Sequence, residues 1–309
     1  LTKLNLDNPR ILFYGTPDFA VPSLKALVAS GYNVVGVVTA PDRKSGRGMA
    51  LNLSAVKKAA LELDIPVFQP TNLKSEEFHQ ELSSLSPDIQ IVIAFRMLPF
   101  VVWDFPKMGT FNLHASLLPN YRGAAPINHA IINGEKETGI TTFFLKHEID
   151  TGNILMQKTV PIEDEDNAGS LHDKLMNEGS KLVVDTLEGV LDGSITPSEQ
   201  GIPREGTHAP KLSKEFCNVN WSLSSKEVFN FVRGLSPYPA ARTEFEGKVL
   251  KLYQVKESDV ELGSGEFRIN ENGMWVGCKS GSIEILELQM EGKKRMPIKD
   301  FLNGYLSSH

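Results

Sequence analysis

Apolar residues in the first hundred positions fall into short unbroken runs separated by segments of helical spacing. Ile11-Leu12-Phe13-Tyr14 is one such run; Gly15-Thr16-Pro17 follows, then Phe19, Val21, Leu24, Leu27 and Val28 at helical intervals. That reads as strand, turn and helix. The alternation repeats through a strand at Val34 to Val38, a helix near Ser54 to Leu63, a strand at Val67-Phe68, a helix near Ser75 to Leu85 and a buried strand at Ile89 to Ala94. Strands dense in β-branched residues that alternate with helices predict an α/β domain with a doubly wound, mostly parallel, Rossmann-like sheet. Ligands in such sheets bind beyond the carboxyl ends of the strands, which singles out the loops after Tyr14, Thr39, Phe95 and His114.

The pattern changes at GVLDGSITPSEQGIPREGTHAP, Gly189 to Pro210, whose glycines and prolines do not suit a helix or a central strand. Residues 1–190 are therefore expected to form one domain, 191–210 a linker and 211–309 a second domain. Beyond one helical segment near Lys226 to Leu235, the last third shows short strand-like runs at Val249 to Val255, Phe267 to Ile269, Met274 to Gly277 and Ile283 to Leu288. Glycine and asparagine punctuate them, which predicts a small β-barrel of OB-like form.

Composition narrows the class. At 41% hydrophobic and 23% charged, with no apolar run near the roughly 20 residues of a membrane helix, the chain reads as soluble. No leader with an apolar core is evident, so a cytoplasmic setting is expected. The net charge of −6 argues against a protein that coats nucleic acid. From Glu205 onward acidic and basic residues are equal in number, so the acidic excess belongs wholly to the first two thirds. Cys217 and Cys278 are far apart and carry no partner motif, which supports neither a disulfide framework nor a metal site.

The segment FNLHASLLPNYRGAAP, Phe111 to Pro126, carries the candidate chemistry. Residues two apart share a strand face, so Asn112 and His114 project together. An amide and an imidazole side by side can polarise a carbonyl and manage a proton, although a buried, internally satisfied histidine fits the same spacing. HEIDTGNI, His147 to Ile154, follows an expected strand at Ile140 to Leu145. Asp150 there can approach His114 and favour its protonated form, or simply cap its own turn.

YGTPDFA (Tyr14 to Ala20), NLHASLLPNYRGAAPI (Asn112 to Ile127), GITTFFLKHEIDTGNIL (Gly139 to Leu155) and APKLSKE (Ala209 to Glu215) together resemble the methionyl-tRNA formyltransferase family of folate-dependent enzymes. The resemblance implies transfer of a formyl group from 10-formyltetrahydrofolate to the amino group of methionyl initiator tRNA, with Asn112, His114 and Asp150 as the catalytic trio and no metal. It implies folate contacts at Ser116, Leu117, Leu118 and Pro119, and backbone contacts to the pterin at Phe95, Arg96, Met97 and Leu98. Family members often carry Tyr-Gly where Phe95-Arg96 stand here, a change that backbone contacts tolerate. The domain at 1–190 becomes the catalytic one and 211–309 the tRNA-binding one; no stable protein partner is implied.

The basic segment Pro41-Asp42-Arg43-Lys44-Ser45-Gly46-Arg47-Gly48-Met49 interrupts the helical alternation. Composition alone reads it as a solvated loop. The resemblance makes it an insertion toward the tRNA acceptor stem, with Arg43, Lys44 and Arg47 as contacts and Lys293, Lys294 and Arg295, beside Lys299, as a second patch. The rival readings are an amino sugar nucleotide formyltransferase, a formyltetrahydrofolate hydrolase, a nicotinamide dehydrogenase and a non-catalytic RNA-binding module. Gly15-Thr16-Pro17-Asp18-Phe19-Ala20 lacks the later glycines of a dinucleotide site, which counts against the dehydrogenase. A plain RNA-binding module would leave Asn112, His114 and Asp150 without a purpose.

Overall fold

A computed structural model describes residues 8–45 and 50–307. In chain order the elements are β1 (Arg10–Gly15), α1 (Val21–Ala29), β2 (Asn33–Val38), β3 (Arg43–Ser45), β4 (Ala50–Asn52), α2 (Ala55–Glu62), β5 (Val67–Phe68) and α3 (Glu76–Leu85). There follow β6 (Ile89–Ile93), α4 (Phe100–Trp103), β7 (Thr110–His114), α5 (Pro126–Ile132), β8 (Glu137–Phe144), β9 (Ile154–Pro161) and α6 (Ala168–Asp192). The last third holds α7 (Ser225–Leu235), β10 (Ala241–Phe245), β11 (Lys248–Ser258), β12 (Phe267–Asn270), β13 (Gly273–Gly277), β14 (Ser282–Met290), β15 (Met296–Pro297) and α8 (Ile298–Leu306).

These elements form two compact units that interleave along the chain: Leu1–Arg122 with Gly139–Val160 and Asp173–Gly206, and Gly123–Thr138 with Pro161–His172 and Thr207–His309. The expected division into 1–190, 191–210 and 211–309 follows chain position, whereas these units follow contact.

In the first unit the sheet runs β5-β2-β1-β6-β7-β8-β9. β2, β1, β6 and β7 are parallel neighbours and β8 runs antiparallel to β7, pairing Phe111 with Phe144 and His114 with Thr141. This is the doubly wound sheet the pattern predicted. Strand order reverses on either side of β1, so the carboxyl ends of β1 and β6 are where such sheets bind ligands. Ile11 to Tyr14 and all of β6 are buried, as strands covered on both faces require. Ser54 and Ser75 cap α2 and α3, accepting from the backbone N–H of Lys57 and Phe78.

Helix α6 is the main departure from the pattern. It runs 25 residues and passes through Gly189, where the helix-breaking composition was expected to begin a linker. Both of its late glycines are packing positions. A Cβ on Gly179 would lie 2.7 Å from Leu113 Cδ2, and one on Gly189 2.6 Å from Ile195. Glycine here allows close approach and costs the helix only about 1 kcal/mol each.

The second unit carries an antiparallel sheet in the order β10-β11-β14-β13-β12, with β15 added to β14. The rings of Phe245 on β10 and Phe267 on β12 meet at 5.0 Å, so the sheet curls until its outer strands face one another. Val228, Val232 and Leu235 of α7 complete its core with Leu250, Leu252, Ile283 and Ile285, and Cys217 and Cys278 are buried there as free thiols. Strand β10 and helix α8 had no counterpart in the sequence reading.

Candidate active site

Strand β7 runs beside β6, and its alternation sets Asn112 and His114 on one face, as expected. Asn112 is half-buried and its side-chain amide has no hydrogen-bond partner among the described residues. His114 is buried, and its Nε2 lies 2.9 Å from the carbonyl oxygen of Tyr121. A carbonyl only accepts, so Nε2 carries the hydrogen and Nδ1 is left to take up or release a proton. Nδ1 faces Asp150 Oδ2 at 3.8 Å, with only 8% and 13% of the two side chains exposed. Asp150, expected near His114 on motif grounds, is brought to it by the turn after β8.

That turn is held in an uncommon backbone state. Asp150 has φ +56, in the left-handed region that L residues other than Asn and Asp seldom enter. Gly152 follows, where a Cβ would come within 1.5 Å of the Phe144 carbonyl oxygen, so only glycine fits. The Gln200 amide nitrogen donates to the carbonyls of both Asp150 and Gly152 at 2.8 Å, and Arg122 donates to Gln200 Oε1 through Nε and Nη2 at 3.0 and 2.6 Å. Neither Arg122 nor Gln200 was picked out from sequence; Gln200 lies in the stretch expected to be a tether, which carries no periodic signal.

The loop after His114 is held by its own Ser116 and by polar side chains of β8 and β9. Ser116 Oγ donates to the Asn120 carbonyl, Thr141 Oγ1 to the Ser116 carbonyl, and Gln157 Nε2 to the Leu118 carbonyl. Leu118–Pro119 is a cis peptide. Of the four expected folate contacts, Ser116 and Leu118 are buried supports, while Leu117 and Pro119 are half-exposed.

Beyond β6, Ala94 turns the chain at φ +47. Phe95 packs edge-on against Tyr14 at 5.6 Å, Leu98 is buried, and Met97 stands 70% exposed at the rim. Arg96 reaches back to the carbonyls of Pro70 and Thr71, so its side chain braces this loop. Phe100, Trp103 and His147 cluster beside it, with Phe100 and His147 stacked at 5.0 Å.

Residues 43–45 of the basic segment form β3, which pairs antiparallel with β4, Arg43 opposite Asn52 and Lys44 opposite Leu51. Arg43 is exposed; the Lys44 side chain and Arg47 lie outside the described residues. The base of β3 is tied down by Lys57, which donates to Asp42 Oδ2 at 2.5 Å and Gln69 Oε1 at 2.6 Å; the Lys57 bond, together with that from Gln69 Nε2 to Asp42 Oδ1 at 2.9 Å, holds the Asp42 carboxyl below the usual carboxylate range. In the second unit Lys293 and Lys294 are exposed, while Arg295 is engaged by Glu287 at 2.8 and 2.6 Å and lies over the Tyr253 ring.

Comparison with known proteins gives the following matches. The family model described as formyl transferase matches residues 9–187, and that for the formyl transferase C-terminal domain matches residues 211–306. A methionyl-tRNA formyltransferase of Phocaeicola vulgatus is 52% identical over 312 residues, covering 97% of this chain and 96% of its own. Among solved structures, an N-formyltransferase of Helicobacter canadensis, in complex with folinic acid and dTDP-3-aminofucose, superposes with a TM-score of 0.66 at 21% identity over 91% of this chain and 99% of its own. HypX of Aquifex aeolicus, in complex with tetrahydrofolic acid, superposes with a TM-score of 0.67 at 19% identity over 97% of this chain; the match spans about half of HypX, 48%. At those identities the two structures speak for the fold alone.

Proposed function

We propose, from the premise that this chain belongs to the formyl transferase family through both of its domains, that it moves the formyl group of 10-formyltetrahydrofolate onto the amino group of methionyl initiator tRNA. The observation that carries the acyl-transfer reading is His114, fixed between the Tyr121 carbonyl and Asp150 on the face that also bears the unpartnered amide of Asn112. The choice of acceptor follows the name of the relative that is 52% identical over nearly the whole chain.

The residues present fit a folate. Half-buried Phe95 and exposed Met97 offer an apolar bed, and Asn112 has amide hydrogens to give. When bound, the folate supplies the formyl carbon; a C–N bond to the methionyl nitrogen replaces the one to the carrier, and one proton passes from the amine to the carrier nitrogen. Asn112 donates to the formyl oxygen, where negative charge grows as the amine adds. His114 manages the proton at Nδ1, and Asp150 provides the counter-charge beside it. Tyr121 keeps the other nitrogen occupied, so the ring presents one face and one proton site.

Residues 1–190 serve on this reading as the catalytic domain and 211–309 as the tRNA-binding domain, in the cytoplasm where translation begins. Arg43, Lys44 and Arg47 contact the acceptor stem, with Lys293 and Lys294 extending the footprint. Arg295, already paired with Glu287, shapes that patch more than it adds charge.

The test is incubation with 10-formyltetrahydrofolate and either methionyl initiator tRNA or an amino sugar nucleotide. Formylation of the tRNA alone is expected. Formylation of the sugar alone would reassign the acceptor, and formate release without either would point to hydrolysis.

A further inference from the structure

Asp150 sits in a tight turn at a positive φ, and its carboxylate must stay at 3.8 Å from His114 Nδ1. Thr151 Oγ1 braces the turn from within, on the Glu148 carbonyl, and two further bonds reach it from a segment 50 residues further on. Gln200 spends both amide hydrogens on the Asp150 and Gly152 carbonyls, the first on the residue that makes the bend and the second two residues past it. Its oxygen is gripped by two nitrogens of Arg122, which fixes the amide with its nitrogen toward the turn.

Arg122 is the neighbour of Tyr121, whose carbonyl fixes the opposite nitrogen of His114. The contacts therefore close a circuit: His114 to Tyr121, along the chain to Arg122, across to Gln200, on to the Asp150 turn and back to His114. The surrounding segment is anchored at further points, since Ser198 and Ile154 exchange backbone bonds of 2.8 and 2.9 Å and the Arg204 N–H donates to Asn120 Oδ1 at 2.8 Å.

We infer that Gln200, oriented by Arg122, is a positioning residue that sets the Asp150 carboxylate against His114. The inference rests on the proposed role of Asp150 and extends it to residues that touch no substrate. A shift of about 1 Å in a catalytic group costs about a hundredfold in rate, while substrate affinity need not change. Loss of the strap is thus expected to lower kcat by about 30- to 100-fold, with KM for folate and for tRNA within about threefold of wild type.

The experiment uses the full chain with Gln200→Ala, Gln200→Glu, Asp150→Asn, Asp150→Ala and the double variant Gln200→Ala with Asp150→Ala. Gln200→Glu keeps the size and the Arg122 partner but has no hydrogens for the two carbonyls, so it tests the strap if Gln200→Ala does not fold. Thermal melts identify the folded variants. Both Gln200 variants should lose kcat, and Gln200→Ala should cost less than about threefold once Asp150 is already Ala, because its effect passes through that residue. Wild-type kcat in Gln200→Glu alongside an inactive Asp150→Asn would overturn this inference alone. So would fully additive losses in the double variant, or a rise in KM with kcat unchanged. Full activity of Asp150→Asn would instead bring down the reading of the site beneath it.

Discussion

The carbonyl oxygen of Tyr121 lies 2.9 Å from Nε2 of His114 and leaves Nδ1 as the ring nitrogen that faces Asp150. On the proposed mechanism the proton moves through Nδ1. Nitrogen NMR of the imidazole at neutral pH should show the Nε2–H tautomer whenever the ring is uncharged. His114→Ala and Asn112→Ala should each lower single-turnover formyl transfer by about a hundredfold or more without unfolding the chain. A folded variant within about threefold of wild type would remove that residue from the mechanism.

Gly152→Ala is expected to be severe, because its Cβ would meet the Phe144 carbonyl oxygen at 1.5 Å and push the Asp150 turn outward. Gly201→Ala, one residue past Gln200, has nothing within 4 Å of its added carbon and serves as the control. The first should lose activity and several degrees of melting temperature, the second neither. Equal behaviour of the two would mean the turn yields easily.

His129 lies in the second unit, its Nε2 3.0 Å from the Pro210 carbonyl, and burial pushes its proton affinity down, partly offset by that carbonyl and assisted by His208. In the unfolded chain it takes up a proton near its ordinary 6.5, and in the folded chain only at lower pH. Between those values the unfolded state binds more protons, so stability falls as pH drops below about 6.5 and is unaffected above it. Urea midpoints across that range should show the fall in wild type and a smaller one in His129→Gln. An identical pH dependence would assign the loss to other groups.

Replacing Arg43, Lys44 and Arg47 together with Ala should weaken binding of methionyl initiator tRNA and flatten its salt dependence, by roughly one unit of slope for each phosphate that is no longer neutralised, while folate binding holds. Arg43→Ala alone should also narrow the preference for initiator over elongator tRNA. Unchanged slope and unchanged preference would return the basic segment to an ordinary solvated surface and reopen the amino sugar reading.

The parallel sheet was legible because its strands are continuous apolar runs, Ile11 to Tyr14 and Ile89 to Ile93 among them, and such runs have few alternatives in a chain of this composition. The face shared by Asn112 and His114 followed from the strand period alone. The end of helix α6 was hidden by Gly189, which looks like a breaker until Ile195 is found against it. Gln200 was hidden for a different reason: it acts on backbone carbonyls, which every residue owns, so nothing at positions 150 and 152 announces the partner. Asp150 was found through its motif, and its distance to His114 needed the fold.

The interleaving of the two units also sets a timetable for synthesis. Residues 123–138 and 161–172 leave the ribosome among the chain of the first unit, yet they belong with residues 207–309. Ile132 in the earlier segment packs against a core built from α7, β11 and β14, so its apolar side has no home until most of the last third has emerged. The first unit, by contrast, has all of its residues once Gly206 is made. During that interval two stretches of chain, the first of them carrying α5, wait for the residues they belong with.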